Sequence, residues 1–261
     1  MTTVAFAHLD LCSGPQERNL AKLTAAVDIA AAAGAQWLVT PEVAVQGYFF
    51  WNQDTKPDIP VQPSAHIRPL IDRAAERGLG LFLGCGERDE TSGEAHNACL
   101  VFGPDGALLG RHRKTKKIGS AEIWASPGQS VRPISCPGFF AGVLVCADSW
   151  TPDHAVTLRD LGAEVIVVAA AWPPGEHGPN GCWERGSQAC GLPYWVCNQT
   201  GPHARLDFRA AVSAVIVAGE AKLSHHGPDE TLLLFDWDFT RADVASAQFE
   251  AIPLQAGIGH D

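Results

Sequence analysis

The sequence predicts an α/β fold, in which layered β-sheets are covered by α-helices. Short apolar runs typical of strands alternate with segments whose apolar residues recur at helical spacing. Turns rich in Gly, Pro and Asp also join some strand-like runs directly, which predicts antiparallel hairpins among the β–α units. The 261 residues are 46% apolar and 18% charged, enough for a large buried core. We therefore expect a single domain over residues 1–261.

The N-terminal part of the chain predicts a β–α–β unit. Residues 3–9 form a strand-like run, and Ser13 with Gln16 three positions later predicts a capping box at the start of a helix. Apolar residues then recur at helical spacing up to Gly34, which favours a helix end because glycine readily adopts a left-handed conformation. Residues 37–40 form a second, short apolar strand.

The middle of the chain predicts one helix and three strands. Residues 64–77 carry apolar side chains on one helical face and are followed by Gly78. Three strand-like runs come next, over residues 79–87, 98–102 and 107–113. The Gly-Pro-Asp-Gly turn between the last two predicts a hairpin.

The second half of the chain predicts a further helix between strands. Residues 139–145 form an apolar run that ends at Cys146. The Thr-Pro-Asp sequence of residues 151–153 is typical of a helix start, and this helix is expected to end near Gly162. Four more strand-like runs follow, over residues 164–171, 193–198, 210–218 and 231–237. The tail over residues 240–261 lacks strong periodicity, and we expect it to reach across a subunit interface.

Charge and composition exclude several functions. The formal net charge is -10 and the basic run at residues 111–117 is short, whereas phosphate binding needs clustered Lys and Arg. A nucleic-acid partner is therefore not expected. The N-terminus lacks the features of a signal peptide, and no apolar run approaches the ~18 residues of a membrane span. We expect a cytoplasmic protein that does not contact a membrane.

Motifs for metals and cofactors are missing from the sequence. The eight cysteines include no C-x-x-C pair, so zinc is not indicated, and we expect reduced thiols that are mostly buried. The glycines between residues 78 and 86 lack the G-x-G-x-x-G spacing of a dinucleotide-binding loop. His225 and His226 are expected to lie in a solvated turn. The sequence therefore predicts neither a cofactor nor a metal site.

Three reactive side chains lie at the ends of predicted strands. Glu42, Lys114 and Cys146 each come directly after a strand-like run or within two residues of it. Polar groups at strand ends in α/β folds face the crevice where ligands bind. Taken singly, each residue has an ordinary structural explanation. A glutamate after proline commonly lies in a turn, a lysine in a basic run commonly lies on the surface, and a cysteine after a strand commonly lies in the core. Together they would supply the nucleophile, the proton carrier and the charge stabiliser that acyl transfer needs.

The sequence around these residues contains four short motifs. In chain order they are Pro41-Glu42 with Gly47-Tyr48, Arg113-Lys114-Thr115 with Glu122, Val145-Cys146-Ala147-Asp148, and Asn198-Gln199-Thr200-Gly201. In order and spacing they resemble the nitrilase superfamily of carbon–nitrogen hydrolases, over nearly the whole chain. The resemblance implies a four-layer α-β-β-α sandwich of the nitrilase type, with two mixed sheets and helices outside. It also implies self-association as a homodimer or higher homo-oligomer.

The resemblance further implies a mechanism. Cys146 would attack the substrate carbonyl to form a thioester, while Glu42 accepts and returns the proton. Lys114 and the backbone N–H of Ala147 would hold the oxyanion, and Glu122 would orient Lys114. A neighbouring ammonium lowers the pKa of a thiol from its ordinary value of about 8.5, so Lys114 is expected to favour the thiolate of Cys146.

Two departures from the superfamily's patterns bear on the substrate. Ala147-Asp148 follows the cysteine where nitrilases usually carry Trp-Glu, which favours amides over nitriles. Trp150 replaces an arginine that amidases of small acids often use, so an acidic amide is disfavoured unless Arg205 or His177 supplies the charge.

Aromatic residues are expected to form the substrate pocket. Tyr48, Trp150 and Trp172 are assigned as its walls, and an apolar pocket of this kind suits an aromatic or acyl-chain amide. The sequence thus predicts an amidase that cleaves a small carboxamide.

Other functions remain open at this point. The same triad would serve an N-carbamoyl amine hydrolase, a nitrilase or an acyltransferase. A non-catalytic scaffold is disfavoured because it would need none of the three reactive residues. Lys116 and Lys117 are rivals to Lys114, which is preferred for its spacing from Glu122.

Overall fold

Side chains alternate between two cores along the central strands. The computed structural model describes residues 1–51, 58–117 and 119–254. In the first strand, β1 (Thr2–His8), Val4 and Phe6 pack into one core while Ala5 and Ala7 pack into another. Because successive side chains of a strand point to opposite faces, both faces of this sheet are covered.

The strand β1 belongs to a mixed sheet that has eight strands in the described residues. The other seven are β2 (Trp37–Val39), β3 (Gly80–Arg88), β4 (Ala95–Phe102), β5 (Leu108–Arg113), β12 (Thr231–Asp238), β13 (Asp243–Val244) and β14 (Glu250–Pro253). The order is β13-β12-β1-β2-β3-β4-β5, with β14 also beside β12. β1, β2 and β3 run parallel, and the remaining neighbours run antiparallel.

A second mixed sheet has six strands in the described ranges. They are β6 (Ile134–Cys136), β7 (Phe139–Val145), β8 (Val165–Ala170), β9 (Tyr194–Asn198), β10 (Ser213–Val217) and β11 (Glu220–His225). The order is β11-β10-β9-β8-β7-β6. The central strands β7, β8 and β9 are parallel and almost wholly buried, as expected for strands covered on both faces.

Helices cover the outer face of each sheet. On the first sheet, α1 (Gln16–Ala32) and α2 (Arg68–Glu76) bury Leu23 and Leu70 in the core that contains Ala5. On the second, α3 (Asp153–Asp160) contacts β7 and α4 (Cys182–Cys190) contacts β10.

Large aromatic side chains fill the space between the two sheets. The ring of Trp37 from the first sheet lies 5.4 Å from that of Phe139 in the second. Trp195 of the second sheet lies 5.8 Å from Phe235 of the first. The layers therefore follow the order helix, sheet, sheet, helix, and the predicted α-β-β-α sandwich is confirmed.

Two helix starts differ from the sequence prediction. The capping box at Ser13 does not form, because Pro15 occupies the N-cap position of α1 without a side-chain cap and Gln16 is already the first helical residue. The helix predicted from residue 64 begins only at Arg68, after a turn at residues 65–67, with Pro69 in its first turn.

Several short or polar elements were missed by the sequence pattern. These are α4, β6, β11, β13 and β14. In β11 only Leu223 is buried, as is typical of an edge strand, so no apolar alternation marks it. The prediction of a solvated turn is wrong for His225, which ends β11 and places its ring edge-on to His8 at 5.1 Å.

The C-terminal tail lies on the first sheet as far as it is described. Its strands β13 and β14 both pair with β12 of the same chain. Residues 255–261, the remainder of the predicted interface tail, lie outside the described residues. Within the described ranges, no helix combines the length and apolar character needed to cross a bilayer.

Candidate active site

Cys146 lies in a tight turn at the end of β7. Residues Cys146–Ser149 form one turn of 3-10 helix, and Cys146 itself has a φ of +46°, a left-handed conformation that is strained for a residue with a side chain. The Ser149 hydroxyl donates to the Cys146 carbonyl at 2.7 Å. The indole N–H of Trp183 donates to the same hydroxyl at 3.0 Å, so α4 supports the turn.

Glu42 follows β2 and is fully buried. The backbone N–H of Gly84 donates to the Thr40 hydroxyl at 2.9 Å, which holds this segment against β3. Only glycine fits at position 84, since a Cβ there would lie 2.0 Å from the Pro41 carbonyl oxygen. The Glu42 N–H also contacts the Ala170 carbonyl at 3.4 Å, which links the carboxylate segment to the second sheet.

Lys114 follows β5 and points into the same buried region. Its Nζ lies 2.7 Å from Oε1 of Glu42 and 2.6 Å from Oε1 of Glu122. Its backbone is fixed by bonds to the Asn97 carbonyl at 2.8 Å and from the Gly128 N–H at 2.7 Å. The structure therefore brings together the lysine and both glutamates that the sequence motifs selected.

Asn97 completes this cluster and was missed by sequence reasoning. Its Nδ2 donates to Oε1 of Glu42 and to Oε1 of Glu122, both at 2.7 Å. The sequence prediction began this strand at Ala98, whereas β4 begins at Ala95 and includes the asparagine. An asparagine beside an apolar strand run is uncommon, and that was the available signal.

Burial and mutual charge set the protonation of the cluster. Burial raises the pKa of Glu42 to about 7; Lys114 opposes this shift and Glu122 adds to it. Burial alone would lower the pKa of Lys114, but Glu42, Cys146 and Glu122 together raise it well above its ordinary value. The lysine is therefore an ammonium at neutral pH.

The protonation of Cys146 depends on burial as well as on Lys114. Burial, followed by the nearby charge of Glu42, raises the pKa of Cys146 well above its ordinary value. Lys114 lowers that pKa, as expected, but its effect is smaller than the burial cost. Cys146 is a neutral thiol at rest, so its proton has to be removed by a base during reaction.

Asp148 connects the cysteine turn with the lysine segment. One of its oxygens accepts backbone N–H bonds from Thr115 at 2.9 Å and Lys116 at 2.8 Å, and the other lies 2.7 Å from His112 Nε2. Burial alone would raise the pKa of Asp148, but the bonds from His112 and from the backbone hold it well below its ordinary value. The buried group is therefore a carboxylate whose oxygens are partnered.

A cleft of about 520 Å³ opens beside Cys146. It is lined by Tyr48, Trp150 and Trp172, the three residues assigned to the pocket from the sequence, together with Leu206 and the segment of residues 173–178. Burial raises the pKa of Tyr48 well above its ordinary value, so the phenol keeps its proton.

The remaining candidates take different positions. Ala147 is buried in the cysteine turn, beside the nucleophile candidate. Lys116 donates to Thr151, and Lys117 is exposed, so neither replaces Lys114 in the cluster with Glu42. His177 lines the cleft, whereas Arg205 packs over the ring of Phe49 instead.

A second cleft lies apart from Cys146. A polar cleft of about 550 Å³ lies between Asp89, His96 and Arg111 and does not include Cys146. Among the residues that the structure describes, no cluster of three His, Cys, Asp or Glu side chains is arranged to hold a metal ion.

Comparisons with known proteins give the family. A model of the family described as carbon-nitrogen hydrolase matches residues 3–217. An omega-amidase of Xenopus tropicalis is 28% identical over 267 residues, which cover 96% of this chain and 93% of the relative. A nitrilase of Pyrococcus abyssi is 28% identical over 173 residues, only 65% of either protein.

A solved structure has the same fold. It is a variant of an amidase from Nesterenkonia sp. AN1, with the acetamide moiety of fluoroacetamide added covalently at its active-site cysteine. It matches with a TM-score of 0.78 and 23% identity, over 92% of each chain. The family that the four sequence motifs predict is confirmed, and the chain belongs to the carbon-nitrogen hydrolases.

Proposed function

We propose that the protein is an amidase that hydrolyses a small carboxamide through a thioester on Cys146. One observation carries this proposal. Oε1 of Glu42 is held by Lys114 and Asn97, while Oε2 is buried and has no hydrogen-bond partner among the described residues. A buried carboxylate oxygen without a partner, electrostatically coupled to a neutral thiol, is suited to accept the thiol proton.

The first half-reaction forms the thioester. Glu42 takes the proton of Cys146 as the sulfur attacks the carbonyl carbon of the amide, which gives a tetrahedral oxyanion. The ammonium of Lys114 and the N–H of Ala147 stabilise this oxyanion. Glu42 then gives its proton to the amide nitrogen, the carbon–nitrogen bond breaks and ammonia or an amine leaves.

The second half-reaction releases the acid. Glu42, again a carboxylate, takes a proton from water as the water oxygen attacks the thioester carbon. The second oxyanion collapses, the carbon–sulfur bond breaks and the proton returns to the Cys146 sulfur. Glu122 does not touch the reacting atoms in this scheme; it positions Lys114 through the 2.6 Å contact with Nζ.

The location and assembly of the protein form part of the same proposal. All eight cysteines are buried free thiols, which supports a reducing compartment such as the cytoplasm. Phe140 in β7 and Leu161, directly after α3, are both about half exposed. Exposed apolar side chains of this kind support a homodimer or a higher homo-oligomer, which light scattering of the purified protein would measure.

The test of function is a substrate panel with matched variants. Primary carboxamides, nitriles and N-carbamoyl amines are supplied to the wild-type protein, with hydroxylamine as an acceptor that reveals acyl transfer. We expect amide hydrolysis, its loss by at least ~10³-fold in Cys146→Ala, and a loss of ~10²–10³-fold in Lys114→Ala. Preferential turnover of nitriles or N-carbamoyl amines, or unchanged activity in Cys146→Ala, would contradict the proposal.

A further inference from the structure

The cleft beside Cys146 presents large apolar surfaces to solvent. Trp150 and Leu206 line it and are 44% and 39% exposed, although both side chains are of types that are normally buried. Pro173 and Pro174 extend the same apolar lining. Exposed apolar groups that converge on a reactive thiol gain free energy when an apolar ligand covers them.

The apolar wall is fixed by hydrogen bonds and stacking. Oδ1 of Asn198 accepts the backbone N–H of Trp172 at 3.0 Å. The Trp172 indole N–H donates to the His177 carbonyl at 2.7 Å, so its polar atom is already satisfied. Trp150 stacks on Trp172 with ring centroids 5.4 Å apart. Trp172 therefore contributes apolar ring surface to the cleft, and its indole N–H is not free to bind a ligand.

The charges around the cleft disfavour an anionic ligand. In the described part of the lining, no Lys or Arg is present, and Glu176 and His177 are the ionisable groups at the exposed rim. Arg205, the nearby cation considered from the sequence, lies 6.0 Å from the ring centre of Phe49. A carboxylate bound here would lose its hydration without a Lys or Arg to compensate, and it would approach Glu176.

We propose, on the basis of the function proposed above, that the substrate is an amide whose acyl group is apolar and uncharged. This acyl group is branched, aromatic or of medium length. The cleft selects against amides that carry a second carboxylate. Its volume of about 520 Å³ lies within the range of about 300–1,000 Å³ typical of small-molecule sites, so there is room for such a group.

A matched pair of amides tests this inference. The two compounds 5-methylhexanamide and glutaramate have the same skeleton of non-hydrogen atoms, with an isopropyl group in one replaced by a carboxylate in the other. We expect kcat/KM to favour 5-methylhexanamide by at least ~10²-fold, since an unpaired carboxylate in an apolar site costs far more than a methyl group gains. Calorimetric Kd values with Cys146→Ala should show the same order without any turnover.

Substitution at Leu206 tests the cause of the selectivity. Leu206→Arg places a cation in the lining and should raise kcat/KM for glutaramate at least ~10-fold while lowering that for 5-methylhexanamide. Leu206→Gln is the matched control, because it adds polarity without charge and should leave the neutral amide preferred. Circular dichroism checks that both variants fold.

The binding measurement separates this inference from the proposed function. Tighter binding of 5-methylhexanamide to Cys146→Ala, in a protein whose wild type hydrolyses neither amide, supports the apolar site and contradicts the amidase. If glutaramate binds to Cys146→Ala as tightly as 5-methylhexanamide or more tightly, the proposed selectivity for apolar acyl groups is wrong, whether or not the wild type hydrolyses either amide. Binding of neither compound at millimolar concentration overturns it as well.

Discussion

The carboxylate of Asp148 and the imidazole of His112 lie 2.7 Å apart, and both side chains are buried. Asp148 belongs to the turn that contains Cys146, whereas His112 lies in β5, two residues before Lys114. Asp148 also accepts the backbone N–H groups of the segment that follows Lys114. The Asp148 carboxylate thus fixes the turn that carries the Cys146 thiol, at the end of a strand of one sheet, to the segment that carries the Lys114 ammonium, at the end of a strand of the other.

Replacing Asp148 should therefore reduce both stability and activity. Asp148→Asn replaces one acceptor oxygen by an NH2 group, so at least one buried backbone N–H faces an amide nitrogen. We expect a loss of about 1–3 kcal/mol in the free energy of unfolding, as for a buried donor left without an acceptor. Misplacement of the reacting groups should reduce kcat by about 10²-fold. Urea unfolding and steady-state kinetics measure the two effects. Asp160→Asn, at an exposed acid on α3, is the control and should cost about 1 kcal/mol or less.

The activity should depend on the protonation of Glu42. Its pKa is raised to about 7, so the fraction that can accept a proton falls as the pH drops below 7. We expect kcat/KM to decrease by about 10-fold per pH unit below that point and to level off above it. The residual activity of Glu42→Gln should lack this dependence. A wild-type profile that stays flat between pH 5 and 8 would exclude Glu42 as the base.

Asn97 should influence the same titration. Asn97→Asp places a third carboxylate against Glu42 and Glu122, and like charges disfavour ionisation. We expect the midpoint of the acid limb to move to higher pH, whereas Asn97→Ala should lower kcat because it removes the donor that fixes Glu42. An unchanged midpoint in Asn97→Asp would show that the asparagine does not act on the carboxylate.

Two glycines of β3 provide a matched test of the Glu42 segment. A Cβ at Gly84 would lie 2.0 Å from the Pro41 carbonyl oxygen, whereas the nearest described neighbour of a Cβ at Gly86 would be Cγ2 of Ile59, at 3.4 Å. Gly84→Ala should lower the free energy of unfolding by about 1–3 kcal/mol and displace Glu42, with a fall in kcat. Gly86→Ala should stay within about 1 kcal/mol of wild type. Equal effects would mean that the close approach at Gly84 does not position Glu42.

The parts of the fold that were predictable are those with both faces buried. Strands such as β7, β8 and β9 have continuous apolar sequences because helices cover one face of their sheet and the other sheet covers the opposite face. Edge strands carry no such pattern; β11 buries only Leu223. The predicted position of a helix start was wrong where a proline sets the boundary, as Pro15 does for α1.

Some residues of the candidate site were also predictable from the sequence, whereas others were not. Glu42, Lys114 and Cys146 were found because each lies near a strand end within a short motif. Asn97 was missed because its partners, Glu42 and Glu122, are distant in sequence and meet only after folding. Lys114 lowers the pKa of Cys146, as predicted, but the larger rise caused by burial was not predicted, because burial is a tertiary property.

The proposed reaction depends on a thioester at Cys146, which mass spectrometry can detect in protein quenched in acid during turnover of an amide. We expect a mass increase equal to the acyl group on the peptide that contains Cys146. This increase should be absent from Cys146→Ala and unchanged in Cys136→Ala, which removes another buried thiol. An acyl group on a different residue, or amide turnover that persists in Cys146→Ala, would contradict the proposed reaction.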